Sequence, residues 1–146
     1  MGLNKIDPLI IGSKDIAKAA SESYPDTSHG ILSWKTLISS GKTSTDSLTA
    51  GVATLPPKQG HLCHHRHTQA EIYHIIKGQA IMYINGQEQN VSAGSVVYIP
   101  GDAEHGIRNV HPEEELQWLY VFPTASFEDV KYRYTTPMCT HVQRET

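Results

Sequence analysis

Cysteine is scarce in this chain, with only Cys63 and Cys139, and two such residues do not make a disulfide framework. Cys63 is read as a small buried hydrophobe. No apolar run approaches the roughly 20 residues of a membrane-spanning helix, so no membrane role is expected. Basic charge is not in excess either. Twelve Lys and Arg against 15 Asp and Glu give a formal net charge of -3, which recommends neither nucleic acid nor an anionic membrane as a partner. The opening MGLNKIDPLIIG lacks the positive start, long apolar region and small-residue cleavage site of a secretory leader. Position 6 is Ile where a myristoylation site carries Ser or Thr. A cytoplasmic protein is the expectation, and the sequon Asn90-Val91-Ser92 is then accidental. No internal repeat is visible, and 146 residues with 38% hydrophobic content suffice for one domain with its own core.

What the chain does have is regular punctuation. Ser13 to Ser23 has helix-compatible composition, with Ser13 as a cap and Asp15 in the first turn. Its apolar face is small, which predicts a surface helix leaning on the body of the protein. Pro25, Asp26 and Gly30 mark a loop, and Ile31 to Ile38 and SLTAGVAT read as strands, the second stopping at Pro56-Pro57. Lys77-Gly78 turns the chain into QAIMYIN, and Asn85-Gly86 is a strong two-residue hairpin signal. QEQNVS and SVVYI follow, the latter closed by Pro100-Gly101. Beyond a solvated acidic loop, LQWLYVF places Trp118, Tyr120 and Phe122 on one face. Phe127 to Tyr134 is a last strand or extended tail. Many short strands at even spacing predict an all-β barrel or jelly roll.

Five of the nine histidines lie between Gly60 and Gly78: His61, His64, His65, His67 and His74. Strand alternation puts His65 and His67 on one face, with His61 and Cys63 sharing that parity. Across a short turn, Glu71 and Tyr73 again share a face. Two imidazoles and a carboxylate are three of the ligands a divalent metal needs, and His105, just past the Pro-Gly turn, offers a fourth. Gly60, His65, His67, Glu71 and Gly78, followed by Gly94, Pro100, His105 and Asn109, resemble the two motifs of the cupin superfamily. The first motif is one residue short after Gly60, and in the second the glycine directly follows the proline, as Gly101. Neither departure moves a ligand relative to its neighbours. The resemblance implies an all-β fold, a single cupin barrel (a jelly roll, or double-stranded β-helix) with a short N-terminal helix. The expected divisions are an N-terminal extension over 1–30, the barrel over 31–134 and a tail over 135–146.

Three histidines and a glutamate leave open positions on one divalent transition metal, and the set suits Fe(II), Mn(II), Ni(II), Co(II) or Zn(II). Tyr73 should point into the cavity beside the metal. A dication there favours the phenolate below its ordinary pKa of about 10, making Tyr73 a candidate general base or a displaceable ligand. The segment EIYHIIKG, the stretch YIPGDAEHGIRN and the late tyrosines resemble the short cupin lyases of dimethylsulfoniopropionate. That likeness implies metal ligation by His65, His67, Glu71 and His105, and catalysis by Tyr73 with a second tyrosine from the C-terminal strand. Tyr132 is matched to that position, with Tyr120 and Tyr134 as fallbacks. The expected function is a lyase that removes an α-proton from a small metal-bound carboxylate, followed by β-elimination. A cupin dioxygenase acting on an aromatic substrate and a non-catalytic binding barrel are the alternatives. The expected partners are a small carboxylate substrate and a second copy of the chain, in a homodimer.

Overall fold

A computed structural model gives the structure of residues 5–137 and Cys139. Helix α1 (Ser13–Lys18) is followed by strands β1 (Glu22–Ser23), β2 (Gly30–Ile31), β3 (Ser33–Ile38), β4 (Thr49–Leu55), β5 (His61–Arg66) and β6 (Glu71–Lys77). Next come β7 (Gln79–Ile84), β8 (Gln87–Ser92), β9 (Val96–Ile99), β10 (His105–Arg108) and β11 (Leu116–Phe122). A 3-10 turn (Phe127–Asp129) and a short β12 (Arg133–Tyr134) complete the described elements. One sheet runs β1-β3-β4-β11-β6-β9, and the other runs β12-β5-β10-β7-β8 with β2 also on β5. Every strand pairing among the described residues is antiparallel, as in a jelly roll built of two facing sheets.

Alternation decides which side chains meet between the sheets. In β11, Leu116, Trp118, Tyr120 and Phe122 are buried while the residues between them are half-exposed. β4 shows the same pattern opposite them. Leu55, Ile75, Ile99, Leu116, Trp118 and Phe122 are the most deeply buried hydrophobic members of the core beside Tyr73. The β7–β8 hairpin turns at Asn85 and Gly86, whose φ angles of 47° and 86° are those the two-residue turn demands. Gly78 is required more strictly, because a Cβ there would stand 2.4 Å from the Glu115 carbonyl oxygen. Asn109 ties the barrel end: its buried Nδ2 reaches the carbonyls of Leu55, Pro56 and Glu114, and its Oδ1 accepts from His111 N–H.

Four expectations need correction. The helix ends at Lys18 instead of Ser23, because Glu22 and Ser23 pair with Trp34 and Ser33. Its cap position is Gly12, without a side-chain cap, so Ser13 is the first helical residue. No helical residue is buried, and Lys35 Nζ donates to the carbonyls of Ile16 and Ala17 from the neighbouring strand. Cys63 and Cys139 form a disulfide with Cα atoms 5.8 Å apart, so Cys63 is not a mere hydrophobe.

The fourth correction concerns parity along β5. Against β10, His65 faces His105 while Leu62 faces Ile107, so three steps on β5 match two on β10. This is a β-bulge, and it switches faces between Leu62 and His65. Leu62 therefore joins the core, whereas Cys63 lines an outer cavity together with His61 and His64. No helix among the described residues is long and apolar enough to cross a membrane.

Candidate metal centre

The bulge delivers His65 to the barrel interior near the end of β5, and His67 follows one residue after the strand. Glu71 opens β6 and His105 opens β10, so all four side chains converge from strand ends; all four are buried. Each imidazole is held by a carbonyl close to it in the chain: Cys63 O lies 2.7 Å from His65 Nδ1, Gln69 O 2.9 Å from His67 Nδ1, and Ala103 O 2.9 Å from His105 Nδ1. A carbonyl can only accept, so each Nδ1 carries the hydrogen and each Nε2 keeps its lone pair. The three ligating nitrogens lie within 4.8 Å of one another. Glu71 Oε1 stands 3.1 Å from His67 Nε2 and 3.3 Å from His105 Nε2.

Nε2 of His65 and of His105 is buried and makes no hydrogen bond to the protein. Buried nitrogens with lone pairs aimed at a common point, beside a carboxylate, are what a divalent cation fits. The His65 pKa is pushed well below its ordinary 6.5 by burial first and by His105 second, which keeps the ring in its neutral, ligating form.

Beside the histidines lies a small cavity of about 30 Å³, room for one or two waters. Tyr73, Tyr132, Trp118 and Tyr120 line it together with Glu71, and no lysine or arginine is among the described residues lining it. Tyr132 stacks on His65 with ring centroids 4.4 Å apart and planes 5° apart. Tyr73 packs 5.0 Å from Trp118 and presents an edge to His105 at 6.4 Å. Burial, and then the charge of Glu71, push the pKa of both Tyr73 and Tyr132 well above 10. That is opposite to the direction expected beside a dication, whose field would act against both causes. Tyr120 also reaches the cavity, and burial raises its pKa. Tyr134 does not line it; its hydroxyl lies 2.5 Å from that of Tyr24, and its ring stacks on His29 at 3.7 Å.

Sequence reasoning passed over Tyr24 and Trp34, which complete the cavity wall. Trp34 lies in a segment read as a strand, and a large aromatic there was a usable signal. Tyr24 sits in a loop, where no periodicity marks a side chain as inward. Arg66 and Arg108 turn away from the centre: Arg66 donates to the Asp102 carbonyl, and Arg108 pairs with Glu88.

Fold and site together define a small β-barrel with a buried three-histidine centre suited to a divalent metal. The Cupin domain family matches residues 51–122. Dimethylsulfoniopropionate lyase DddW of Ruegeria pomeroyi is 40% identical over 111 residues, which cover 75% of this chain and 70% of that protein. The chain belongs to the cupin family, among its enzymes. Among solved structures, the polyketide cyclase RemF from Streptomyces resistomycificus aligns with a TM-score of 0.71 at 16% identity, covering 87% of each chain. DMSP lyase DddQ from Ruegeria pomeroyi aligns with a TM-score of 0.67 at 22% identity, over 85% of this chain and 64% of that one. At such identities these two likenesses speak to the fold alone.

Proposed function

We propose that the chain is a metal-dependent lyase that cleaves dimethylsulfoniopropionate, or a close relative of it, to acrylate and a neutral sulfide. His65, His67 and His105 through Nε2, with Glu71 as the fourth ligand, hold one divalent transition metal from the group Fe(II), Mn(II), Ni(II), Co(II) and Zn(II). Bound there, the ion supplies a positive charge that stabilises the enolate-like charge developing on a substrate carboxylate.

The observation that carries this reading is the lining of the cavity, which among the described residues has several aromatic rings, one carboxylate and no basic side chain. Such a wall suits a sulfonium, which sits well on aromatic faces, and leaves an anionic carboxylate to the metal centre alone. Tyr73 Oη, as the phenolate that a bound dication would favour, takes the α-proton and becomes the phenol; the α-carbon pair forms the C=C bond, the Cβ–S bond breaks, and its electrons leave with sulfur as the neutral sulfide. Tyr132, stacked on His65, covers the centre against water. The cavity is too small for an organic substrate as it stands, so entry requires the Tyr132 segment to lift from His65. The 40% identity to a lyase of this substrate supports the same assignment.

A cytoplasmic homodimer belongs to this reading. Ile72, Ile76, Val96 and Tyr98 are exposed together on β6 and the edge strand β9, an apolar face that a second copy would cover. Light scattering that finds a monomer at micromolar concentration would remove the dimer from the proposal.

The test of the activity is anaerobic. Protein loaded separately with each of the five metals is given dimethylsulfoniopropionate, and acrylate is followed by proton NMR. Acrylate that needs metal, stops with chelator and collapses in Tyr73→Phe is the expected result. No acrylate with any metal overturns the assignment.

A further inference from the structure

A second group of ligating side chains lies outside the barrel interior. His61 and Cys63, on the outward side of the β5 bulge, meet Cys139, 76 residues beyond Cys63, and their ligand atoms fall within 4.8 Å of one another. His61 and Cys63 are buried and Cys139 is half-buried. Gln59 O lies 2.8 Å from His61 Nδ1, which places the hydrogen there and makes Nε2 the ligating nitrogen. All three residues line one cavity of about 240 Å³ on the outer face, giving an ion a route in and a water a place as fourth ligand.

We propose that, when the Cys63–Cys139 bond is reduced, Cys63, Cys139 and His61 form a second metal site for a thiolate-seeking ion such as Zn(II), separate from the three-histidine centre. Two thiolates and an imidazole are a tetrahedral donor set with one position left for water. Soft sulfur donors rank the divalent ions differently from the imidazole and carboxylate donors inside the barrel. The exchange is balanced: a dithiol reductant gives two electrons and two protons to the disulfide and becomes a disulfide itself. Each freed thiol then loses its proton on binding the ion.

Either linkage fastens the same piece of chain. Thr135 N–H donates to His64 O on β5, and Cys139 N–H donates to Ser28 O in the loop before β2, so both residues are tied to this side of the barrel. The bond or the ion pins the far end of the segment that carries Tyr132 over His65. A reducing environment thus exchanges one clip for another.

Co(II) is the probe, because thiolate ligation gives it a charge-transfer absorption that imidazole and carboxylate do not. The whole protein is reduced with a dithiol, freed of it anaerobically and titrated beside the oxidised protein. The expected result is one more equivalent of Co(II) in the reduced sample, with thiolate absorption that Cys139→Ser abolishes while the first equivalent stays. His61→Ala should weaken the second equivalent at least tenfold without touching the first. Equal stoichiometry in the two redox states overturns the proposal, as does thiolate absorption that survives in Cys139→Ser. Thiol counts on the denatured samples establish the redox state before either comparison is made.

Discussion

His65 and Cys63 stand two residues apart on one strand and serve opposite faces of the sheet. Inside, each histidine is oriented by a carbonyl within two residues of it, so its aim is set by local backbone. Outside, Cys63 is held to a residue 76 positions away, and the placement of the C-terminal segment depends on such long-range ties. The contrast teaches that the metal centre is preorganised by its own strands, while the tyrosine covering it is delivered by a strap. Damage to the strap should leave the centre able to bind metal, and damage to the centre should leave the strap in place.

The most severe test removes an inner ligand. Glu71→Ala or His105→Ala should weaken metal binding by more than about 100-fold and abolish acrylate release, read by metal content after gel filtration. Normal metal content in both would show that the buried nitrogens converge for another reason. Next comes Tyr73→Phe, expected to lower turnover by roughly 10²–10⁴ with metal content unchanged. A loss of metal there would make Tyr73 a ligand instead of the base. Cys139→Ser releases the strap and should lower the stability of metal-free protein by up to about 4 kcal/mol, given the long loop closed. Urea unfolding measures that loss, and an inner site that loses its metal as well would mean the two faces are coupled. Tyr134→Phe removes the hydrogen bond with Tyr24 and should cost about 1 kcal/mol.

The pH dependence of the metal-free protein follows from His65. Its folded pKa lies well below the 6.5 of the unfolded chain, so between the two values the unfolded state binds more protons. Stability is then fully present above pH 6.5 and is lost as pH falls toward the folded value. Urea midpoints measured on metal-free protein should drop over that interval, and His65→Ala should flatten the slope.

Much of the barrel could be read from the sequence because its signals are local. Asn85-Gly86 needs only its own backbone angles, and the alternation of Trp118, Tyr120 and Phe122 needs only one strand. The grouping of His65, His67 and His105 was legible through their spacing and the resemblance to the cupin motifs, and Glu71 stands against two of them. What escaped depends on partners distant in the chain. Parity from His61 to His67 fails because β10 counts two steps where β5 counts three, and nothing within β5 announces it. The disulfide and the inward turn of Tyr24 likewise depend on the path of the C-terminal segment. The helix was drawn too long because Glu22 and Ser23 have a strand partner in β3 that composition does not reveal.

The extra residue in β5 also bears on how this barrel can change over generations. Letters at positions 62–65 can be exchanged one at a time, each with a local effect. Deleting His64 would leave Cys63 alone opposite Gly106 and keep Leu62 against Ile107 and His65 against His105, so both faces would retain their residues. The count between Leu62 and His65 can therefore fall by one, whereas a slip of His65 against His105 would turn the imidazole outward.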